Sequence, residues 1–222
     1  MRLFYSLVSI LILSLISCKN ETGGNEADKL MAQLDPIQTE AVNGYERAYF
    51  ASGCFWCVEA IFESIDGVHE VISGYSGGTE ENPTYREVSY GKTNHAEAVE
   101  VFYDPSVVNF QTLVKVFFGS HDPTTLNRQG PDRGRQYRSI AFYQNAREKE
   151  IIENTIAKLN KDFYDGKIVT LVFPFRKFWK AESYHQDYEE KNPGDPYIQG
   201  VSIPRYTKFK KQFSELLKDN AH

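Results

Sequence analysis

Cysteine is scarce in this 222-residue chain: Cys18, Cys54 and Cys57 are all it has. A structural zinc site needs four ligands, and nothing nearby completes one around Cys54 and Cys57. The five histidines, His69, His95, His121, His185 and His222, contain no pair at ligand spacing. Positive charge is also short. A formal net charge of −5 argues against a nucleic-acid binder, whose affinity rests on clustered lysine and arginine. Arg128, Arg133, Arg135 and Arg138 run against that trend locally. Gly130, Pro131 and Gly134 break any continuous basic face there, so the four read as loop arginines with carboxylate or backbone partners close by. No internal repeat is present, and no cysteine falls within residues 197–222. The single long apolar run, residues 3–16, is short for a membrane span.

That run follows Arg2 and ends in Leu15-Ile16-Ser17-Cys18. It reads as a signal peptide over residues 1–17, with an end resembling the bacterial lipoprotein box, in which the cysteine after the cleavage point is lipid-modified. The alternative is a plain secretory signal or a short anchor, with Cys18 incidental. Residues 18–44 are polar and rich in Gly, Asn and Glu, and read as a tether between lipid and domain. The expected location is the cell envelope, anchored to a membrane outside the cytoplasm, where disulfides persist unless something reduces them.

Residues 45–222 suit a single domain, with 41% hydrophobic and 14% aromatic content in the chain as a whole. Strands are expected over 46–52, 68–75, 95–103, 139–143 and 167–173, with a short β-like piece over 85–90. One helix runs from the Cys54 region to about Gly67. A second starts at Asn109 and carries Phe110, Leu113, Val114 and Phe117 at helical spacing. A third opens with an Asn145-x-x-Glu148 capping box and carries Ile152, Ile156, Leu159 and Phe163. Helix is also expected over 182–191 and over 204–218, the latter with Tyr206, Phe209, Phe213 and Leu217 on one face. Lys208, Lys210 and Lys211 allow that last helix a membrane-surface role, and docking on the domain is the favoured reading. Strands alternating with helices imply an α/β (α+β) fold, a two-layer α/β sandwich on a central sheet.

The chemistry centres on Gly53-Cys54-Phe55-Trp56-Cys57, where a strand-like run gives way to a helix-like one. A cysteine in the first turn of a helix faces unpaired N–H groups and the positive end of the helix dipole, which favour the thiolate. Phe55 and Trp56 suit a small apolar reacting group. Cys57 shares a face with Cys54 at a Cβ separation of about 5–6 Å, and the looser first turn lets the pair close into a disulfide. A strand followed by C-x-x-C is also the setting of thioredoxin-like oxidoreductases, which leaves a general thiol–disulfide enzyme open. A non-enzymatic binding module remains a third reading.

Further along come Gly74-Tyr75-Ser76-Gly77-Gly78, Asn82-Pro83-Thr84-Tyr85, Gly91-Lys92-Thr93-Asn94-His95-Ala96-Glu97-Ala98-Val99, Tyr103-Asp104-Pro105, His121-Asp122-Pro123, Asn127-Arg128-Gln129-Gly130, Asp132-Arg133-Gly134-Arg135-Gln136-Tyr137-Arg138-Ser139 and Ala181-Glu182-x-Tyr184-His185-Gln186. Together with the cysteine motif, these closely resemble the A-type peptide methionine sulfoxide reductases over about residues 47–200. The resemblance implies reduction of the S epimer of methionine sulfoxide, free or in proteins, on a sandwich with ferredoxin-like elements and a mixed or antiparallel sheet. It implies Cys54 as nucleophile and Glu97 as the acid that protonates the sulfoxide oxygen. Tyr85 and Tyr137 would bind that oxygen, Phe55 and Trp56 would cage the S-methyl group, and Asp132 would engage the substrate backbone. From the residues alone, Glu97 could face solvent and either tyrosine could be core. His121 and His185 read as structural. No cofactor or metal is called for, a thioredoxin-like protein is the expected reductant, and a monomer is expected. The chain departs from the family pattern at Cys57, where many members carry glycine and place recycling cysteines in a C-terminal tail. Cys57 is therefore the candidate resolving thiol here.

Overall fold

The computed structural model describes residues 26–219; the expected signal peptide and Cys18 lie outside the described residues. Helix α1 (Glu26–Met31) precedes β1 (Glu46–Ser52), α2 (Phe55–Glu63), β2 (Val68–Ser76), α3 (Tyr85–Ser89), β3 (Ala96–Tyr103) and α4 (Phe110–Gly119). A small hairpin, β4 (Arg128–Gln129) and β5 (Asp132–Arg133), leads to β6 (Ser139–Tyr143), α5 (Ala146–Leu159), β7 (Leu171–Pro174), β8 (Trp179–Lys180), α6 (Tyr188–Lys191) and α7 (Ile203–Gln212).

Six strands form one sheet in the order β7-β6-β1-β3-β2-β8. All neighbours are antiparallel except β6 and β7. The run β1-α2-β2-β3-α4-β6, with its strands ordered β6-β1-β3-β2, is a ferredoxin-like unit. A parallel neighbour needs a crossover, and α5 supplies it between β6 and β7. The mixed sheet expected from the sequence is therefore present.

Period-two alternation divides the strands between two cores. Ala48, Phe50, Val99, Val101, Tyr103 and Ala141 face α2, α4 and α5. Phe50 stacks on Phe62 at 5.1 Å and on Phe117 at 5.2 Å, so one strand residue ties both helices to the sheet. Burying each such ring contributes about 1.5–3 kcal/mol. The alternate residues, Tyr49, Ala51, Ala96, Ala98, Ile140 and Phe142, build a second core with Phe173, Phe175 and Met31 on the opposite face.

Several local expectations change. Tyr85–Ser89 is helical where a β-like piece was expected over 85–90, because Thr84 and Glu87 form a complete capping box that starts α3. The expected helix over 182–191 is broken at Asp187, whose φ of +54° ends the turn at Ser183–His185 before α6 begins. Phe163 is 74% exposed where the α5 stripe would bury it. There α5 relaxes into a wider π-turn over Asn160–Tyr164, which rotates Phe163 off the apolar face. The strand expected over 167–173 shortens to Leu171–Pro174. Asn145 caps α5 by accepting the Glu148 N–H at 3.0 Å, but the Glu148 carboxylate takes the Gln144 N–H at 2.7 Å, so the box is not reciprocal.

The largest difference is at the N-terminus. A tether was expected to run to Gly44, yet from Glu26 onward the chain docks on the sheet. Met31 and the partly buried Leu34 cover apolar surface that the strands leave bare. The Ile37 N–H donates to the Phe175 carbonyl at 2.8 Å, and the Thr39 N–H donates to Gln144 Oε1 at 2.8 Å. At the other end, Phe209 and Phe213 stack at 4.9 Å and are buried, which is docking on the domain. No helix among the described residues is long and apolar enough to cross a membrane.

Candidate active site

Strand β1 stops at Ser52, and Gly53 turns the chain with a φ of +96°. A side chain is excluded there twice over, by that conformation and because a Cβ would lie 2.7 Å from Gln129. The turn delivers Cys54 to the N-cap of α2 and Cys57 to its first turn. Both are free thiols, and Cys54 is 6% exposed.

Glu97 lies on β3 among the residues that face α2, and it is 2% exposed. The Phe55 N–H, one of the donors the helix leaves unpaired, donates to Glu97 Oε2 at 3.0 Å. Burial pushes the Glu97 carboxyl up to about 8 against the opposing Phe55 N–H, with Asp132 and Cys57 adding to the rise. At neutral pH this carboxyl holds its proton.

At Cys54 burial works against the thiolate that the helix end favours. Burial, then Cys57 and Glu97, raise the Cys54 thiol well above its ordinary value. A hydrogen bond from Cys54, together with the Arg205 guanidinium, lowers Cys57 against the opposing effect of burial.

Around them stands an aromatic pocket. Phe55 is buried and forms its floor, with ring centroids 6.3 Å from Tyr85 and 5.0 Å from His185. Trp56 is half-buried; its ring stacks on Tyr188 at 3.8 Å and its indole N–H donates to His185 Nδ1 at 3.2 Å. Burial keeps His185 neutral by lowering its pKa, so it can accept that bond. Tyr85 opens α3, and Tyr137 ends the 3-10 turn Arg135–Tyr137. Both phenols are pushed up by burial and by the nearby Glu97, Tyr85 to about 12, and both sense Cys54. Neither hydroxyl makes a hydrogen bond among the described residues, so both are free to donate to a ligand oxygen. Glu182 fixes this wall: its carboxylate accepts the Tyr85 N–H at 2.9 Å and the Tyr75 hydroxyl at 2.8 Å.

Asp132, at the start of β5, accepts a hydrogen bond from the Tyr197 hydroxyl at 2.6 Å, and that same hydroxyl lies 3.9 Å from Cys57 Sγ. Burial raises Asp132, opposed by Tyr197 and Arg205. Arg205 is held by the Ser52 carbonyl at 3.0 Å and the Ser120 carbonyl at 2.6 Å. Cys54, Cys57, Phe55, Trp56, Tyr85, Glu97, Asp132 and Tyr137 thus converge. His121 stands apart, donating from Nδ1 to the Phe117 carbonyl at 2.7 Å and accepting the Ser139 hydroxyl at 2.8 Å, with both ring nitrogens occupied. Sequence reasoning missed Tyr197, Arg205 and Glu182. Glu182 stood in a quoted motif, whereas nothing local marks the other two.

Glu59, Glu63 and Asp187 bring carboxylate oxygens within 4.8 Å of one another. Burial pushes Glu59 up to about 8 and Glu63 up to about 7.

A buried cysteine pair beside a protonated carboxyl, on a ferredoxin-like sheet, defines a thiol-dependent oxidoreductase with a dedicated aromatic pocket. The sequence model of the family described as peptide methionine sulfoxide reductase matches residues 46–217. The peptide methionine sulfoxide reductase MsrA 1 of Rhodopirellula baltica is 49% identical over 82% of this chain and 94% of its own length. That of Haloquadratum walsbyi is 48% identical over 78% of this chain and 98% of its own. Among solved structures, methionine sulfoxide reductase A of Corynebacterium diphtheriae superposes with a TM-score of 0.61 at 36% identity, covering 77% of this chain and 91% of that one. Reduced Mxr1 from Saccharomyces cerevisiae gives a TM-score of 0.64 at 33% identity over 70% and 91%. The chain belongs to the peptide methionine sulfoxide reductase family.

Proposed function

We propose that this chain reduces the S epimer of methionine sulfoxide through Cys54, with Glu97 as proton donor and Cys57 as resolving thiol. The observation that carries the reading is the buried Glu97 carboxyl, hydrogen-bonded at 3.0 Å to the first amide of the helix that Cys54 caps. A sulfoxide sulfur is a poor electrophile until its oxygen is protonated or strongly hydrogen-bonded.

Phe55 and Trp56 take the S-methyl group, while Tyr85 and Tyr137 donate to the sulfoxide oxygen. Cys54 attacks sulfur as Glu97 delivers its proton to the oxygen, and the proton the thiol gives up returns Glu97 to its acid form. Collapse releases methionine and leaves Cys54 as the sulfenic acid, two electrons having moved from the thiol to the substrate. Cys57 then attacks the sulfenic sulfur, and its proton, relayed through the Tyr197 hydroxyl and Asp132, ends on the departing hydroxyl, giving the Cys54–Cys57 disulfide and water. A thioredoxin-like dithiol returns both sulfurs to thiols by exchange.

Residues 1–17 are read as a signal peptide and Cys18 as the lipid anchor of a cell-envelope enzyme, supported by the Leu15-Ile16-Ser17-Cys18 pattern. The test mixes pre-reduced protein, freed of reductant, with S-methionine sulfoxide. About one methionine per chain with both thiols lost is expected. No methionine from either epimer, with activity on protein disulfides instead, would return the chain to the general thiol–disulfide reading.

A further inference from the structure

We infer that the N-terminal arm is a positioning element of the active site, in which Asp28 holds the turn that presents Tyr137. The arm precedes residues 46–217, the stretch that the family model matches. It rests on Tyr137 engaging the substrate.

Asp28 lies on α1, is 5% exposed, and receives both terminal nitrogens of Arg135, at 3.1 and 3.0 Å. Its Oδ1 also lies 3.6 Å from Nη2 of Arg138. One carboxylate therefore meets two guanidiniums, and those guanidiniums bracket Gln136 and Tyr137.

Arg138 needs this partner. It is 2% exposed, and its other bonds go to the carbonyls of Arg135, Gly77 and Asn94 at 3.0, 3.0 and 2.8 Å. Carbonyls solvate a guanidinium without neutralising it. Burial pulls Arg138 down to about 10, and Asp28 is the largest influence in the opposite direction. Arg135 and Arg138 carry like charge, so without Asp28 they repel across the turn.

The turn has little else of its own. Tyr137 N–H donates to the Gly134 carbonyl at 3.0 Å and Arg138 N–H to the Arg135 carbonyl at 3.2 Å. Gln136 Nε2 reaches the Ser89 carbonyl at 2.9 Å, which couples the turn to the helix bearing Tyr85. The Tyr137 hydroxyl makes no hydrogen bond among the described residues, so the backbone turn sets where it points. The arm has anchors of its own, Met31 in the second core and Arg176 donating to the Asp35 carbonyl at 2.6 Å.

A strap that only stabilised the fold would look similar in a contact map, so the experiment separates the two by epistasis. Asp28→Asn, Tyr137→Phe and the double variant are made in the full mature chain. The kcat and KM for S-methionine sulfoxide are measured well below each variant's Tm. Asp28→Asn is expected to lower kcat/KM about tenfold in the parent, since small misplacements of catalytic contacts are expensive. In the Tyr137→Phe background the same change should cost no more than about twofold, the signature of two residues acting as one unit. Arg135→Lys keeps the charge but loses the paired geometry, and serves if Asp28→Asn folds poorly. It should show a smaller loss with the same dependence on Tyr137. Equal losses in both backgrounds, or no loss at all, would overturn the inference. A Tyr137→Phe variant with parental kinetics would instead overturn the role of Tyr137, and this proposal with it.

Discussion

The Phe55 amide and the Glu97 carboxyl meet at 3.0 Å, and this contact joins the first turn of the helix capped by Cys54 to the central strand of the sheet. Two opposing forces set the acid. The amide favours carboxylate, burial favours the protonated form, and burial wins, leaving a pKa of about 8.

Replacing Glu97 with glutamine keeps size and polarity but removes the transferable proton. Methionine formation in a single turnover should slow by about 10²- to 10³-fold. In the parent the reactive form carries the proton, so the rate should fall as pH rises through about 8. The variant should lose that alkaline limb, and a Glu97→Gln enzyme retaining it would assign the limb to another group.

Cys57→Ser should leave the first methionine intact and stop the cycle there. Cys54 would remain as the sulfenic acid, detectable by a sulfenic-specific label, with turnover supported by a thioredoxin-like donor reduced to background. Sustained turnover by that variant would remove Cys57 as resolver.

Glu59 gives a pH-dependent stability prediction with a definite sign. Its carboxyl accepts from the Ser73 hydroxyl at 3.0 Å and the Asp187 N–H at 3.1 Å, yet burial still raises it from 4.5 to about 8. The folded state therefore binds this proton more tightly than the unfolded chain. Its contribution to stability is full below about 4.5 and is lost as pH rises through about 8. Comparison with Glu59→Gln cancels the histidines and thiols that titrate nearby. The parent's stability relative to that variant should fall by on the order of 1 kcal/mol per pH unit between about pH 5 and 8, then level off. Urea midpoints of the two proteins across this range check it; a constant difference contradicts the raised pKa.

Much of this was readable from residue patterns, and the failures have identifiable physics. The alternation in β1 and β3, and the Asn109 cap of α4, are local signals that tertiary contacts reinforce. Thr84-x-x-Glu87 is such a signal too, a capping box set among turn residues and tyrosines that resemble a strand. The docked arm was illegible because Met31 and Leu34 look sparse in a polar stretch, and only the bare face of the sheet makes them sufficient. Thiolate character at Cys54 was inferred from the helix end alone, whereas burial is set by residues distant in the chain. Asp132 and Tyr197 are 65 positions apart, and no periodicity links them.

That last pair supplies the most discriminating experiment on the second half of the cycle. The Tyr197 hydroxyl donates to Asp132 at 2.6 Å and sits 3.9 Å from Cys57 Sγ, while its ring meets Trp56 edge-on at 5.9 Å. Tyr197→Phe keeps the ring against Trp56 and removes only the bridge between sulfur and carboxylate. Methionine formation, which uses Cys54 and Glu97, should stay within about twofold of the parent. Disulfide formation should slow by at least about tenfold, because the Cys57 thiol has lost the route by which its proton reaches Asp132. Rapid-quench mass spectrometry would then show the Cys54 sulfenic acid accumulating before the Cys54–Cys57 disulfide. If both steps slow together, Tyr197 shapes the pocket rather than carrying the proton; if neither slows, the Cys57 proton leaves by another path.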